Sequence, residues 1–584
     1  MKRRRLVLVF GAIALVAAVA GGTLLVVRPF APKATPAAPV IVRWFVGLGS
    51  GTQPSQIDDE KAFVEKFNAT HKGFQIRFEL IPGGGNATDT LKTEIEGENA
   101  PDLMGPVGVG GLNGFIGILR DLAPLAAKYR FDLSRFPPDM VADLKQGGDL
   151  LSLPYGIYPA FMLYNKDLFA AAGLPDLPKH IGETYMGKTW DWAEVKAIGQ
   201  RLTLDKAGRH PYDAGFDADH IVQFGLDFQY WDGRRFASAF GQGGAQLVDP
   251  AHPTTALIGD NFKAAWRYYY DGMWTSHFIP TGKYRAADLL DDGATFASGK
   301  VAMNGSNTWC LGGCYYGDAG KTKMTAVDFA VMPSFNGVTA GPLDVDGFVI
   351  TKASKHPDEA FQAMLAIMAD PRLLADYGSL PAITSQRTAW EDAKTTEARS
   401  YFPALQTLSW SAVDEMATHA ANPSHESYMS HYSQSVSTYS EAFTRLQNAP
   451  GLDMDAELSA LQEALQFNFD TGTGSVGLNV DEDNYWVGNG SCTLTDDGGV
   501  FAGFGHYLDA GAGPGGAGGT TKDWFRIEID GKGHIVRADG IAQGTRFSID
   551  PTRAMGGGNK DSGGQISGID TFSHKSVMLT FTCS

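Results

Sequence analysis

The chain has 584 residues, of which 43% are hydrophobic and 19% are charged, a composition typical of a folded protein and not of a disordered one. This length exceeds what one hydrophobic core supports and indicates about three domains. Asp and Glu number 65 against 48 Lys and Arg, which gives a net charge of −17. Because such a negative field repels nucleic acid, nucleic-acid binding is excluded as a function.

The amino terminus joins a basic cluster to a long apolar segment. Lys2–Arg5 precede a neutral run over residues 6–27, and positive charge on that side keeps the terminus in the cytoplasm and places the rest of the chain outside. The run of about 22 residues can span a bilayer as an uncleaved anchor. Ala18-Val-Ala20 also fits the cleavage site of a removable signal peptide, so a secreted form cleaved after Ala20 remains the alternative.

The segment that follows a Pro/Ala-rich linker alternates strands, loops and helices. Ile41–Val46 and Phe74–Leu80 are predicted strands, each followed by a helix, and Asp102–Met104 is a shorter third strand. This order predicts parallel strands joined by crossover helices, which is an α/β fold. In such sheets ligands bind beyond the carboxyl ends of the strands. Three glycine-containing loops leave those ends and are expected to share one edge of the sheet: residues 47–51, 83–86 and 105–111.

Residues 293–309, GATFASGKVAMNGSNTW, place a tryptophan just after a polar, glycine-containing stretch. The pattern predicts a helix that ends at Gly299, a strand over Lys300–Met303 and a loop over Asn304–Thr308. A tryptophan at the end of such a loop can reach a ligand, so Trp309 is a candidate binding residue.

Helical patterns dominate two further stretches, residues 255–272 and much of 357–465, and Thr189 is predicted as the N-cap of another helix. Three histidines, His419, His425 and His431, recur every six residues. Since that spacing does not place them on one helix face, we predict surface histidines and no metal site.

The composition changes after Asp470, where glycine becomes dense and long helical patterns stop. Trp524–Asp530 and Ser576–Cys583 alternate with a period of two, and Asp530-Gly-Lys-Gly533 is a hairpin signal. These features predict a small antiparallel β domain over residues 474–584.

The four cysteines are expected to form two disulfides, Cys310–Cys314 and Cys492–Cys583. Their spacing matches no zinc site, and no nearby histidine completes one. The export segment favours disulfide formation, because disulfides persist in oxidising compartments.

No motif in the sequence marks an enzyme. Signatures of phosphate-binding loops, zinc proteases, serine hydrolases and dinucleotide-binding folds are missing, so we predict neither catalysis nor a cofactor. The alternative, an envelope carbohydrate-active enzyme, would need two carboxylates facing each other across a cleft, with Asp102 and Asp346 as the pair to test. Aromatic residues beside polar ones in predicted loops favour a binding protein, since flat rings stack on sugars and polar side chains bond to hydroxyls.

Six motifs follow one another along the chain: Leu153-Pro-Tyr with Leu163-Tyr-Asn-Lys-Asp-Leu-Phe169 and Ala172-Gly-Leu-Pro175, Thr189-Trp-Asp-Trp192, Phe296-Ala-Ser-Gly-Lys-Val-Ala-Met303 with Trp309, Asp346-Gly-Phe-Val-Ile350, Pro357-Asp-Glu-Ala360 and Tyr377-Gly-Ser-Leu-Pro-Ala382. In order and spacing, residues 41–467 resemble the extracellular solute-binding proteins of ABC importers, in the sugar-binding family. The resemblance implies an α/β fold of two lobes, like that of periplasmic binding proteins, in which hinge strands let the lobes close over a ligand in the interlobe cleft.

The same resemblance implies the function and the location. We expect a monomer at the extracytoplasmic face of the membrane that captures a carbohydrate and delivers it to an ABC permease. A surface adhesin or scaffold, and a binder of a non-sugar solute such as a glycerophosphodiester, are the other interpretations. The predicted segments are the signal or anchor, the linker, the two-lobed binding domain and the β domain, at residues 1–28, 29–39, 40–467 and 474–584.

By the same carry-over, ten residues are expected to line the cleft: Ser50, Asn86, Asp102, Tyr155, Trp231, Ser306, Trp309, Asp346, Gly347 and Arg387. In the family the counterpart of Trp309 typically forms a stacking platform for the sugar. The family usually has a second glycine beside Gly347, and Asp346, which replaces it here, could accept bonds from sugar hydroxyls. A Cys310–Cys314 disulfide would stiffen the turn behind Trp309.

The last domain has a resemblance of its own. Ser491-Cys492, Asn559-Lys-Asp-Ser-Gly563 and the ending Phe581-Thr-Cys-Ser584 are similar to the small cell-surface lipoprotein-antigen family of actinobacteria. That resemblance implies a β-rich fold with one disulfide and no established chemistry.

Overall fold

The structure is a computed structural model, and it describes residues 39–81, 84–97, 99–137, 140–141, 144–146, 148–427, 429, 432–470, 474–480, 483–494, 499–505, 524–542, 545–559 and 563–582. Within these ranges no helix is both long and apolar enough to cross a membrane. The predicted signal or anchor, residues 1–28, lies outside the described residues.

The strands before residue 470 are β1 (Val40–Val46), β2 (Phe74–Leu80), β3 (Leu103–Val107), β4 (Lys145–Gln146), β5 (Asp149–Leu150), β6 (Leu153–Asn165), β7 (Thr184–Tyr185), β8 (Lys188–Thr189), β9 (Leu204–Asp205), β10 (Ile221–Asp227), β11 (Val248–Asp249), β12 (His252–Ala256), β13 (Val301–Asn307), β14 (Val327–Ala330), β15 (Ser334–Phe335), β16 (Val338–Thr339), β17 (Leu343–Ile350) and β18 (Leu380–Pro381). Those after it are β19 (Gly474–Val480), β20 (Asp483–Leu494), β21 (Val500–Gly505), β22 (Trp524–Ile529), β23 (Ile535–Ala542), β24 (Thr545–Ser548), β25 (Met555–Asn559), β26 (Gly563–Ile569) and β27 (Ser576–Thr582).

The α-helices are α1 (Pro54–Thr70), α2 (Gly84–Glu96), α3 (Val109–Leu112), α4 (Ala123–Lys128), α5 (Lys166–Ala171), α6 (Trp192–Leu202), α7 (Gly233–Ser238), α8 (Asp260–Trp274), α9 (Gly282–Arg285), α10 (Gly313–Tyr316), α11 (Pro357–Met368), α12 (Pro371–Asp376), α13 (Arg387–Ala398), α14 (Trp410–Met416), α15 (Tyr432–Asn448) and α16 (Met454–Asp470). Short 3-10 helices occur at Asn113–Ile118, Leu133–Arg135, Asp288–Gly293, Thr308–Cys310 and Thr384–Gln386.

The first lobe is built on a sheet with the strand order β2-β1-β3-β17-β6. β1 pairs in parallel with both β2 and β3, so α1 and α2 are the crossover helices that the sequence predicts. Val42, Trp44 and Phe45 of β1 are buried, as expected for a parallel strand with both faces covered. The second lobe continues from β6 in the order β13-β10-β9, with β14 on the other side of β6.

Strand β6 belongs to both lobes. Residues 153–159 pair with β17, and residues 160–165 pair with β13 and β14. All thirteen residues of β6 are buried, which explains why the sequence is apolar over its whole length. β17 pairs with β3 as well as β6, so the chain crosses out of the first lobe on β6 and returns on β17.

The two prolines of β6 lie where its ladder is irregular. Pro154 lies opposite Gly347 at a register shift in β17, and Pro159 is the last residue that pairs with that strand before Ala160 pairs with Asn307 of β13. Because proline has no N–H to donate, it is tolerated in a sheet at bulges and interruptions. Pro154 therefore marks a register shift against β17, and Pro159 marks the point at which β6 changes partner.

The segment before Trp309 differs from the prediction. Residues 295–299 form turns instead of a helix, and β13 runs through Asn307, so the predicted loop over Asn304–Thr308 was wrong for most of its length. The turn forms because side chains of a neighbouring loop bond to it, as the Gln229 side-chain oxygen does to the Phe296 N–H at 3.1 Å. The strand continues because β6 offers it paired partners as far as Ala160.

Two helix starts also differ from the prediction. The N-cap of α6 is Asp191, whose side chain accepts a bond from the Glu194 N–H at 2.9 Å, and Thr189 lies in β8 instead. Helix α2 begins at Gly84, within a stretch predicted as loop. For α6 the neighbouring structure decides between two residues that can both cap a helix.

The carboxyl-terminal region forms a sheet of its own, with the order β24-β23-β22-β21-β20-β19-β27-β26-β25 and antiparallel neighbours throughout. Its buried residues form a separate hydrophobic cluster that includes Val476, Phe504 and Phe581. β22 and β23 form the hairpin that residues 530–533 predict. The prediction of a two-lobed α/β fold followed by an antiparallel β domain is confirmed.

We predict that Gly156→Ala destabilises the hinge. A Cβ at Gly156 in β6 would lie 2.2 Å from the Cβ of Ser379, so a methyl group cannot fit without backbone movement. Overpacking of this kind costs about 1–3 kcal/mol in the free energy of unfolding, measured by urea titration. The matched control is Gly114→Ala, because a Cβ there meets nothing within 4 Å. Equal stability of the two variants would contradict the prediction.

Candidate functional site

The loops that leave β1, β2 and β3 lie against one another, as the α/β pattern predicts. A Cβ added to Gly47 would lie 2.7 Å from the carbonyl oxygen of Ile81, and one added to Gly49 would lie 2.7 Å from that of Pro106. These backbones approach so closely because glycine has no side chain. The three loops therefore form one edge of the first lobe.

A network of hydroxyls and one carboxylate lies at this edge. The Ser50 hydroxyl donates to an Asp346 carboxylate oxygen at 2.9 Å and is 2.7 Å from the Tyr158 hydroxyl. The Ser379 hydroxyl donates to the Tyr158 oxygen at 2.6 Å, and the Tyr158 hydroxyl is 3.4 Å from Asp346. Tyr158 lies on β6 where that strand changes lobes, so this group, which we call the hinge network, lies at the base of the interlobe cleft.

Trp309 approaches the hinge network from the second lobe. It lies in the 3-10 helix Thr308–Cys310 and is partly exposed. Its ring centroid is 6.0 Å from that of Tyr158, and the guanidinium carbon of Arg235 lies 4.5 Å from the Trp309 ring centroid, a cation–π distance. Cys310 and Cys314 form the predicted disulfide behind it.

Beside Trp309 lies a second charged group. Arg235 bonds both oxygens of Asp344, at 2.8 Å for Nη2 to Oδ1, and the same Oδ1 is 3.1 Å from Nε2 of His425. The prediction of a surface position was wrong for His425, which is 4% exposed. Asp344, His425 and Glu426 offer ligand atoms within 4.8 Å of one another, but the Arg235 guanidinium already balances the Asp344 charge, so we assign no metal to this cluster.

Burial and mutual repulsion set the protonation of these carboxyl groups. Burial raises the pKa of Asp346 to about 6; the Ser50 hydrogen bond opposes this and the charge of Asp344 adds to it. The pKa of Glu426 is well above its usual range, again through burial first and then the charge of Asp344. Burial also acts on Asp344, but Arg235 and His425 outweigh it and hold its pKa at about 2. The cleft thus keeps Asp344 ionised and raises the pKa values of Asp346 and Glu426.

Of the ten predicted residues, the structure brings Ser50, Trp309 and Asp346 together, with Gly347 beside them in β17. A Cβ at Gly347 would lie 2.4 Å from the carbonyl oxygen of Leu153, so this glycine permits the close pairing of β17 with β6. Asn86 lies in the first turn of α2, and its side chain lies outside what the structure describes.

Asp102 lies away from this group, at the opposite end of β3. Its carboxylate accepts bonds from the Arg43 N–H at 3.0 Å and from the Ser354 hydroxyl at 2.6 Å. Gly347 pairs with Val107 near the other end of that strand. Asp102 and Asp346 therefore do not face each other across the cleft, and we leave Asp102 out of the site.

Trp231 and Ser306 are buried in the second lobe. The Trp231 indole donates to the Asn307 side chain at 2.7 Å and its ring lies 5.5 Å from that of Phe228, while Ser306 is fully buried and bonded to Asn304. Both contribute to the wall behind β13 and not to its cleft surface.

Tyr155 and Arg387 lie outside the hinge network too. The Tyr155 ring packs at 5.2 Å on Phe348 inside the first lobe. Arg387 bonds the Pro381 carbonyl oxygen and Asp414 at 3.0 Å each, and its Nη2 is buried without a partner among the described residues.

The ten predicted residues do not include Tyr158, and sequence reasoning missed Arg235, Asp344, His425 and Glu426 as cleft residues. One signal was available, because Asp344 and Asp346 are two residues apart on a strand and such residues share a face. The remaining contacts arise from long-range packing, which residue spacing does not encode.

A cavity of about 500 Å³ lies between the lobes, next to these groups. First-lobe residues such as Leu112, Ile116 and Leu119 form one wall, and second-lobe residues such as Leu247 and Val248 form another. The hinge network and this cavity together define the candidate site. It lies in a polar cleft, with free volume beside it, between two α/β lobes that are joined by two shared strands.

These features define a two-lobed binding protein. The chain belongs to the bacterial extracellular solute-binding protein family, whose sequence profile matches residues 53–367. The predicted family resemblance is thereby confirmed. Among curated proteins, a sequence search finds no match.

Solved structures of similar fold agree with this assignment. M. tuberculosis UspC superposes with a TM-score of 0.56 at 18% identity, covering 74% of this chain and 100% of its own. The cyclic alpha-maltosyl-1,6-maltose binding protein from Arthrobacter globiformis gives 0.53 at 18% identity, covering 74% and 99%. The sugar-binding protein MalE from Xanthomonas citri gives 0.53 at 18% identity, covering 74% and 98%. At this identity the likeness shows a shared fold.

We predict that Asp346 makes stability fall as pH rises from about 4 to about 6. The folded state holds a proton on Asp346 up to a pKa of about 6, whereas the unfolded chain releases it near the ordinary value. The contribution to the free energy of unfolding therefore decreases by at most about 1.4 kcal/mol per pH unit over this interval. Asp346→Asn, which keeps the shape, lacks this dependence.

The measurement is urea unfolding of both proteins at several pH values. Subtracting the variant cancels titrating groups that do not interact with Asp346, such as Glu60, whose pKa burial raises to about 8. A wild-type advantage that stays constant or grows with pH would show that Asp346 is not held protonated.

Proposed function

We propose that this protein is the extracytoplasmic substrate-binding component of an ABC transporter, which captures a sugar or oligosaccharide between its lobes and delivers it to the permease. The observation that carries the proposal is the juxtaposition, across one cleft, of the Trp309 ring from the second lobe and the Ser50–Asp346 hydroxyl–carboxylate pair from the first. A ring and a set of hydrogen-bonding groups are what a sugar needs.

The sugar would contact both lobes at once. Its apolar C–H face would lie on Trp309, and its hydroxyls would replace the bonds that Ser50, Tyr158 and Asp346 now make with one another. Such contacts exist only when the lobes are closed, so binding favours the closed form. A permease that recognises the closed form then distinguishes loaded from empty protein.

The names of two similar structures support a carbohydrate ligand. One of them binds a cyclic maltosyl-maltose, and another is named a sugar-binding protein. The excess of carboxylates in the cleft disfavours an anion such as a glycerophosphodiester. The separation of Asp102 from Asp346 argues against the particular carboxylate pair that the sequence suggested for an enzyme.

Several finer points belong to the same proposal. We propose that residues 1–28 anchor the protein to the outer face of the membrane, that residues 40–467 are the binding domain, and that the protein acts as a monomer. For the β domain over residues 474–584, both the Cys492–Cys583 disulfide and the resemblance to the lipoprotein-antigen family stay predictions. Cys492 is disulfide-bonded, and Cys583 lies outside the described residues.

The test is thermal unfolding of the purified protein against mono-, di- and oligosaccharides and glycerophosphodiesters. A ligand at about 100 times its dissociation constant stabilises by about 2.7 kcal/mol, a shift of a few degrees. We expect at least one sugar to give this shift and to be recovered unchanged.

Trp309→Ala should weaken that sugar's affinity about tenfold or more, because the stacking surface is lost. The matched control is Trp274→Ala, since Trp274 is also partly buried but bonds the Leu446 carbonyl oxygen inside the second lobe. Chemical conversion of the sugar would show that the protein is an enzyme and would contradict the proposed receptor function. No response to any sugar, or equal affinity in the two variants, would refute the proposed site.

A further inference from the structure

The cavity between the lobes has a chemistry that a sugar ring alone does not explain. Nine of the sixteen residues lining its 500 Å³ are Leu, Ile, Val or Pro, and none of the described residues that line it is aromatic. Sugar rings are recognised by flat aromatic faces and polar atoms. An aliphatic surface gains free energy chiefly by removing aliphatic groups from water. The cavity volume lies in the range of pockets that hold a small molecule.

The cavity lies beside the polar part of the cleft. Arg234 and Ser427 line the cavity, and the residues beside them in the sequence, Arg235 and Glu426, belong to the charged group near Trp309. The Arg234 Nη2 donates to the Ser427 hydroxyl at 3.0 Å, so these two side chains form the part of the cavity wall that lies nearest the charged group.

The first lobe makes the same connection. Ser152 lines the cavity, and a Cβ built on Gly347, the neighbour of Asp346, would lie 2.2 Å from the Ser152 hydroxyl oxygen. Leu112 follows the loop whose Gly108 lies against the carboxylates of Asp346 and Glu426, both at 3.1 Å from a Cβ placed there. One ligand can therefore place a polar head beside the hinge network and an apolar tail in the cavity.

We infer that the ligand is an amphipathic glycoside, a sugar that carries an alkyl or acyl chain, and that the cavity lined by Leu112, Ile116, Leu119, Leu247 and Val248 is the subsite for that chain. This inference rests on the proposed function and names the substrate class of the same cleft. The rival explanation is that the volume is space left by lobe closure and binds nothing.

The experiment compares methyl and hexyl β-glucosides and maltosides, titrated into the full chain in lipid nanodiscs, with empty nanodiscs as background. Complete burial of five methylenes raises affinity by up to about a thousandfold, and partial burial by at least about tenfold. We expect a hexyl preference in this range. Equal affinity for methyl and hexyl glycosides would overturn the inference.

Val248→Trp fills the cavity, and Val338→Trp is the matched control. Both valines lie in two-residue hairpin strands, β11 and β16, but Val338 is 43% exposed and does not line the cavity. We expect Val248→Trp to abolish the hexyl preference and Val338→Trp to retain it, with the methyl glycoside affinity of each variant measured as its own baseline. A hexyl preference that survives Val248→Trp would overturn the inference.

If Val248→Trp blocks both glycosides by holding the lobes open, the isosteric Val248→Thr decides. A polar hydroxyl in the cavity should lower the hexyl preference severalfold without adding volume, and an unchanged preference would overturn the inference.

Dansyl-undecanoic acid, a fluorescent aliphatic chain without a sugar, separates failure of this inference from failure of the proposed function. One outcome is that the wild type and Val338→Trp enhance the probe's fluorescence, Val248→Trp does not, and no glycoside binds. That outcome would refute the carbohydrate function and, with it, the inference that the ligand is a glycoside. Sugar binding without either a hexyl preference or a response to the probe would refute the aliphatic subsite and leave the carbohydrate function standing.

Discussion

The site depends on the pairing of β6 with two different partners along its length. A strand that hydrogen-bonds with β17 over its first half and with β13 over its second fixes the two lobes to a common axis. The close fit at Gly156 and Gly347 leaves this pairing little freedom, because side chains there would collide with Ser379 and with the backbone of Leu153. Movement of the lobes is thereby limited to rotation about the shared strands, as in hinge closure.

Tyr158, which lies on the shared strand β6, forms hydrogen bonds with residues of both lobes. Its carbonyl oxygen accepts a bond from the Asn307 side chain of the second lobe at 2.7 Å, while its hydroxyl bonds with Ser50 and Ser379 on the first. The hydroxyl lies at the base of the cleft whichever way the lobes rotate, since the backbone that carries it is the hinge itself. A ligand that bonds to Tyr158 is therefore held at the pivot, where closure displaces it least.

The sequence identified the framework of the site better than its lining. The alternation of strands and helices predicted the parallel sheet, and the polar stretch before Trp309 led to an aromatic residue that lies beside the hinge network. Trp231 carried a similar local pattern, a tryptophan before Asp-Gly, yet it is buried at 5% exposure with its indole bonded to Asn307. Local polarity shows that a ring lies near a turn, but tertiary packing decides which side of the strand it faces.

His425 and Glu426 show the limit more sharply. They lie outside the helices and strands, so no periodicity marks them, and their position follows from packing against β17 and the loop after β3. Asp102 is the reverse case, a residue predicted in the cleft that lies outside it. An acidic residue next to a strand has the same appearance in the sequence at either end of that strand. Only strand direction and pairing reveal that its carboxylate bonds Arg43 and Ser354 instead of facing the cleft.

The charges of the cleft restrict what it can hold. Arg235 is paired with Asp344, which leaves Asp346 and Glu426 without an ion-pair partner among the described residues, and the pKa values of both groups are raised. An anionic ligand would add a negative charge where ionised carboxylates already repel one another. A neutral hydroxyl can instead accept a hydrogen bond from a protonated carboxyl group or donate one to a carboxylate. Asp346 and Glu426, the residues whose pKa values the cleft raises, therefore also favour a neutral polyol as the ligand.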